Sequence, residues 1–391
     1  MGGTVARRGS GAGGGTAAGL GGTLTPVPVP VPVPGPAAVA GPCQDLSPAA
    51  RAAMAEGIPA ETARGYAGDR ARFEEWALSA GFPAMPARAE TLAEYATWLT
   101  VTLRPRTGRP YKPSSIDRAL AAIVVAHHAA GRTPPGQTDA RLVLKGYQAD
   151  LKLTKDPRGK KRRANAATPA VLRRMIAATD PTTLIGLRDA TARLLGFAIA
   201  AHSSEAALLA WEDIIEPEDD EGIAVEVYRP KVTNEQPLGV PCGSYPSSCP
   251  VRTLRAYGQA LLDHGHSPTG PLLVRIDLHG RVNPPVFRNG HRIGDPSGRM
   301  TREGVGDIVT RTARRAGLLQ RPDALLPDLP ARWTGHALRR GYAEATRKAK
   351  KDMLEAARHG GWVDGSKAFA GYHDRAAAFD EDLNPLFGIG L

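Results

Sequence analysis

Cysteine is scarce in this 391-residue chain. Cys43, Cys242 and Cys249 are the three, and no two form a C-x-x-C pair. That excludes a disulfide framework and a cysteine-rich zinc site, and it fits a reducing compartment. Aromatic residues are 5% of the chain, too few for a row of base-stacking platforms of the kind that grip single strands. No apolar run is long enough to span a bilayer. Arg7-Arg8 is followed only by Gly, Ala and Thr, not by the apolar core of an export signal. The expected location is cytoplasmic, with no membrane partner. The run Gly11-Ala12-Gly13-Gly14-Gly15 has no strand before it and no Lys-Ser/Thr after it, which excludes a phosphate-binding loop. No internal repeat occurs.

Positive charge is abundant. Fifty Lys and Arg stand against 39 Asp and Glu, a net charge of +11, and the pI is about 9.8. Such a balance favours an acidic polymer as partner.

The chain divides by composition. Residues 1–45 are a Gly/Pro-rich arm, ending in the alternation Pro26-Val27-Pro28-Val29-Pro30 and onward to Pro34. They offer little side chain to bury and are expected to be disordered, partly as extended polyproline II. Residues 46–154 carry amphipathic stripes of helical period: Tyr66, Phe73 and Trp76, with Thr62 as cap; then Leu92, Tyr95, Ala96 and Leu99; then a helix opened by Ser114-Ser115 and carried by Ile116, Leu120 and Ile123; then Leu142–Tyr147. The basic residues beside them, Arg109, Lys112 and Arg118, are candidates for phosphate contact. Residues 155–165 form a linker. Six of the nine residues 155–163 are basic, Lys160, Lys161, Arg162 and Arg163 among them. It is either a solvated hinge or a strap along a phosphate backbone, where each neutralised phosphate releases counterions. Residues 166–391 form a larger, mostly helical domain. Thr168-Pro169 opens a helix. Leu184–Leu209 is a buried helix plus the start of the next. Ile223, Val225 and Val227 alternate as a strand, and Leu238 and Val240 return. Residues 265–300 are irregular, with a short strand at Leu272–Ile276, and helix resumes at Arg302. The fold class is mainly α with a small antiparallel β-sheet.

Chemistry concentrates in the last fifth: Gly335-His336-Ala337-Leu338-Arg339-Arg340, then His359-Gly360-Gly361-Trp362, then Tyr372. His336, Arg339 and Arg340 share one face of a helix. The planar fork of Arg donates two hydrogen bonds to phosphoryl oxygens. An imidazole handles a proton, and a phenol is a nucleophile. This set suits a phosphodiester without a metal or any other cofactor. The bland alternatives are a helix start with ordinary charges, a Trp in the core and a half-buried Tyr.

The order and spacing of these residues resemble the tyrosine recombinase (phage integrase) family. The resemblance implies a helical, SAM-like core-binding domain and a catalytic domain that together clamp double-stranded DNA. It implies a homotetramer on paired sites and cleavage through a 3′-phosphotyrosine with no ATP. Tyr372 would be the nucleophile, Arg339 and His336 the phosphate and proton groups, and Trp362 the His/Trp slot ten residues before the tyrosine. His359 is a neighbour of that slot. Lys231, at the β-turn, would protonate the leaving 5′ oxygen. The tail residues Phe379, Leu383, Leu386 and Phe387 would dock on a neighbouring subunit or on their own domain.

The pattern breaks at its first arginine. The family has Arg-x-Ser-Glu where this chain has His202-Ser203-Ser204-Glu205. An imidazole has no fork, and loss of one preorganised donor costs roughly 10²–10³ in rate. A relative that binds DNA as a regulator or accessory protein without cutting it is therefore the alternative. A type IB topoisomerase-like enzyme would share the chemistry, but the separate helical domain and basic linker fit it less well. A metal nuclease is disfavoured: Asp219, Asp220 and Glu221 form a solvated acidic loop, and His264, His266 and His279 lack ligand spacing.

Overall fold

The structure is a computed structural model. It describes residues 47–373, apart from 106, 160–162, 219–220, 230–235, 319–321, 324–325 and 331. The Gly/Pro arm, Lys231, the linker residues Lys160, Lys161 and Arg162, the acidic pair Asp219 and Asp220, and the apolar tail lie outside the described residues. The chain separates into two compact units that meet in sequence between Leu153 and Thr154.

The first unit holds α1 (Pro48–Glu56), α2 (Ala60–Ala80), α3 (Ala89–Val101), α4 (Pro113–Ala129) and α5 (Thr138–Leu153). Most residues of the helical stripes converge here, but Leu142 is exposed and α5 packs through Leu144 instead. Phe73, Trp76, Leu92, Tyr95, Leu99, Ile116, Leu120 and Ile123 form one buried core. Tyr95 packs edge-on against Phe73, with ring centroids 5.0 Å apart, and stacks on Trp98. Burying such rings is the main stabilising contribution. Two boundaries differ from expectation. Thr62 is inside α2, which starts at Ala60 behind Pro59, because Pro already supplies the extended entry that a cap residue would provide. The helix expected at Leu142–Tyr147 runs on to Leu153. Arg118 donates to the buried Asp69 through Nε at 2.7 Å and Nη2 at 3.2 Å, and its side chain is half-exposed. Lys112 is exposed at the N-cap position of α4.

The second unit is mainly helical: α6 (Pro169–Ala177), α7 (Leu184–Ala198), α8 (Ser203–Leu208), α9 (Pro250–Asp263), α10 (Arg302–Arg315), α11 (His336–Lys348), α12 (Met353–His359) and α13 (Lys367–His373). Its sheet is antiparallel in the order β1 (Ile214–Ile215), β2 (Gly222–Val225), β3 (Leu238–Pro241), with Ile223 opposite Val240. The alternation at 223–227 ends earlier than expected, at Val225, and β1 was not anticipated, since two residues leave no periodic trace. Two hairpins follow, β4 (Val286–Arg288) with β5 (His291–Ile293), and β6 (Pro322–Asp323) with β7 (Leu326–Pro330). The first lies in text expected to be irregular. Its signal was Asn289-Gly290, both at positive φ, the dipeptide of a tight primed turn. Leu272–Ile276 makes isolated bridges, Val274 to Arg299 and Ile276 to Val282, and no named strand.

α7 is the buried axis of this unit. Leu195 and Ile199 pack with Ile223, Val225, Val251, Leu254 and Ile308. Arg193, fully buried on the same helix, has a partner at each of its three nitrogens: Nε donates to Asp189 O, Nη1 to Met175 O and Nη2 to Thr179 Oγ1. Buried charge persists where it is hydrogen-bonded. A second cluster, Ala200, Tyr342, Ala343, Ala356, Ala357, Trp362 and Phe369 with Tyr372 at its edge, joins α11, α12 and α13 to the end of α7. That cluster positions the residues considered next.

Candidate active site

Four separated segments supply the site. The turn after α7 runs through Ala200, with φ 50°, into His202 at the start of α8. The Glu205 carboxylate accepts from the His202 backbone N–H at 3.0 Å, which anchors that helix start. Gly335 leads into α11. A Cβ on Gly335 would lie 1.7 Å from Ser203 Oγ, so glycine is what lets α11 approach α8. The approach brings His336 to His202, with ring centroids 5.1 Å apart and an edge-to-face angle of 64°.

Arg339, one turn further into α11, is 3% exposed. Its Nη1 donates to Ala200 O and to Gly360 O, each at 2.6 Å. Its guanidinium carbon lies 3.6 Å from the centroid of the Trp362 ring, a cation–π contact that holds the side chain in place. Burial pulls the Arg339 pKa down to about 10; nearby Arg229 also lowers it, while Glu205 and Tyr372 raise it. At neutral pH the cation persists. Trp362 is buried and also meets Phe369 at 4.7 Å and Tyr372 edge-on at 5.9 Å. Tyr372 is half-buried on α13. Arg163, exposed at the end of the basic linker, donates through Nη1 to Gly371 O, beside Tyr372. Arg340 turns away from this group, its Nη1 donating to Ala164 O at 2.6 Å.

The structure thus brings together His202, His336, Arg339, Trp362 and Tyr372. Desolvation, followed by Arg339 and Arg332, lowers the His336 pKa below the ordinary histidine value, which favours the neutral imidazole. His359 stays a neighbour. Its ring stacks on Tyr342 at 5.4 Å and its Nε2–H donates to Ala198 O at 2.8 Å.

Arg229 is the residue that the sequence reading passed over. It lies four positions beyond β2 and two before Lys231, and its side chain is 8% exposed. Nη1 donates to His359 O at 2.9 Å and Nη2 to Ile199 O at 2.5 Å. The one signal in the sequence is an arginine at the exit of a strand beside the expected lysine. Among the described residues no group of three or more His, Cys, Asp or Glu side chains is arranged to hold a metal ion.

No protein-family model matches the chain, and no curated protein matches it either. Solved structures do resemble it. The Tn1549 transposon integrase in complex with transposon right end DNA is 14% identical over 85% of this chain and 98% of its own, with a TM-score of 0.49. A lambda integrase dimer bound to a COC′ core site is 14% identical over 83% and 92%, with a TM-score of 0.48. The XerH site-specific recombinase bound to difH substrate is 13% identical over 85% of each chain, with a TM-score of 0.46.

Proposed function

We propose that this protein is a site-specific DNA strand transferase of the tyrosine recombinase type. One observation carries the reading: a phenol, a buried guanidinium, an indole and two imidazoles, drawn from four separate segments, converge around Trp362 and Arg339. Core packing alone does not call for two imidazoles and two buried arginines in one place.

In the proposed reaction the Tyr372 Oη attacks a backbone phosphorus. The new bond is Oη–P and the bond that breaks is P–O5′. The phenolic proton passes to the neutral imidazole of His336, and the leaving 5′ oxygen takes a proton from Lys231. Arg339, held rigid by two carbonyls and an indole face, donates to the phosphoryl oxygens as charge builds there. The product is a 3′-phosphotyrosine. A 5′ hydroxyl from a partner strand reverses the steps, so the ester conserves the bond energy and no nucleotide is consumed. The basic linker and the exposed cations of the first unit would grip the duplex backbone, and a homotetramer would pair two sites.

His202 favours a second reading, a DNA-binding relative that does not cut, since the imidazole offers one donor where a fork would offer several. One experiment separates the two. Full-length protein is mixed with a nicked duplex library of randomised sequence, so that the short cleaved piece diffuses away. Protein that stays attached to DNA after denaturation is recovered and its DNA sequenced. Strand transfer predicts an adduct with a common sequence that is lost in Tyr372→Phe. No adduct in the wild type, together with one in His202→Arg, establishes the second reading.

A further inference from the structure

Arg229 and Arg339 share a scaffold. Arg229 donates to the carbonyls of Ile199 and His359, and Arg339 donates to those of Ala200 and Gly360. The acceptors are consecutive in both stretches, so the two guanidiniums bridge the same two turns, one beside the other. The turns are shaped for this. Ala200 takes φ 50° and Gly361 φ 66°. A Cβ at Gly361 would meet Arg229 Cδ at 2.5 Å and Nη1 at 2.6 Å.

Among the described residues, charge in this corner does not balance. Glu205 is the carboxylate facing the pair, its Oε2 lying 3.6 Å from Arg229 Nε. The same oxygen already accepts from the His202 N–H. Two desolvated guanidiniums against one carboxylate leave a positive remainder. Carbonyl dipoles lower its cost without cancelling it, and like charges at this range repel. The arrangement is complete when an anion joins it.

We propose that Arg229 is the second cation of the phosphate site: it fixes the turns that aim Arg339 and supplies positive charge next to His202, where the motif has no arginine. This rests on the reading of the site as one for a phosphodiester. With each Nη atom already donating to a carbonyl, Arg229 acts through its field and through the turns it holds. It is a positioning residue.

Orthovanadate, a mimic of the phosphoryl group in transfer, is the probe, titrated against full-length wild type, Arg229→Lys and Arg229→Gln. Gln still donates to a carbonyl but carries no charge; Lys carries charge without the fork. The proposal expects Gln to bind vanadate at least about tenfold more weakly than wild type, with Lys between them. Equal losses in Lys and Gln would mean that Arg229 serves only as a structural brace, and the proposal would be overturned. It is also overturned if both variants bind vanadate as tightly as the wild type, or if the wild type itself binds none. Should the variants fold poorly, the nitrogen-15 signal of the Arg229 Nε–H in the wild type decides. It must move during the vanadate titration, and a stationary signal refutes the idea. The adduct assay stays separate. If vanadate binding follows charge at 229 while no adduct forms even in wild type, strand transfer falls and the role of Arg229 stands.

Discussion

Trp362 touches both Arg339 and Tyr372. The guanidinium carbon of Arg339 sits 3.6 Å from the centroid of its ring, and the ring of Tyr372 meets it edge-on at 5.9 Å. One buried indole therefore sets the separation of the guanidinium and the phenol. Distance along the chain does not set it, since Arg339 and Tyr372 are held on different helices.

Trp362→Ala should disrupt stability and geometry together. Removing a buried Trp costs about 3–5 kcal/mol, and Arg339 would lose the face that holds it. Trp362→Phe should recover most of the stability while adduct formation remains slowed. Urea denaturation and adduct yield, measured on the same preparations, test this. An adduct rate in Trp362→Phe equal to that of wild type would show that a ring face of any kind suffices.

Arg339→Lys separates charge from fork. Lysine keeps a cation but cannot bridge Ala200 O and Gly360 O as the guanidinium does. Adduct formation should fall by about 10²–10³, the usual cost of one preorganised donor, with salt-dependent DNA binding little changed. Single-turnover rates and filter binding check the two halves separately.

Contact between α8 and α11 predicts a rescue. Gly335→Ala forces a methyl group to within 1.7 Å of Ser203 Oγ and 3.1 Å of its Cβ, and overpacking of this kind costs about 1–3 kcal/mol. Ser203→Gly removes both clashing atoms. The double variant should be more stable than Gly335→Ala alone, a coupling that a double-mutant cycle in urea measures.

Acid should weaken the fold partly through His359. Burial lowers its pKa below the ordinary 6.5, the Arg229 charge acts in the same direction, and the bond to Ala198 O opposes them. The unfolded chain then binds the proton more readily than the folded one, so stability rises with pH across the histidine range. This contribution is intact above about pH 6.5 and is lost as pH falls below it. His359→Gln, which keeps a donor for Ala198 O without titrating, should show a flatter dependence. Urea midpoints between neutral and mildly acidic pH would reveal it; parallel curves for the two proteins would exclude His359 as the source.

Among the described residues, the linker meets α13 through Arg163. Arg163 donates to Gly371 O and is otherwise exposed. Arg163→Gln should leave the melting temperature nearly unchanged and slow adduct formation roughly tenfold or more, as displaced reacting groups do. If Lys160, Lys161 and Arg162 lie along phosphates, neutralising each should reduce the salt slope of DNA binding by about 0.9. A series of binding constants at rising salt supplies the slopes.

The sequence by itself determined most of the helices of the first unit, because helical spacing within each run, as in Leu92, Tyr95, Ala96 and Leu99 or in Ile116, Leu120 and Ile123, leaves one face to bury. It also determined the types of group available for chemistry, since His336, Arg339, Trp362 and Tyr372 are recognisable by spacing along the chain. Very short strands such as Ile214–Ile215 escaped, for two residues have no period. Only the tertiary structure decided which groups meet. Arg229 is more than a hundred residues from Arg339 and belongs to no pattern with it, yet carbonyls consecutive in two turns hold them side by side. Likewise, nothing near Gly335 announces that Ser203 will press against it. Periodicity is a local property of a chain, whereas a pocket depends on which distant backbones can approach closely enough to share their hydrogen bonds.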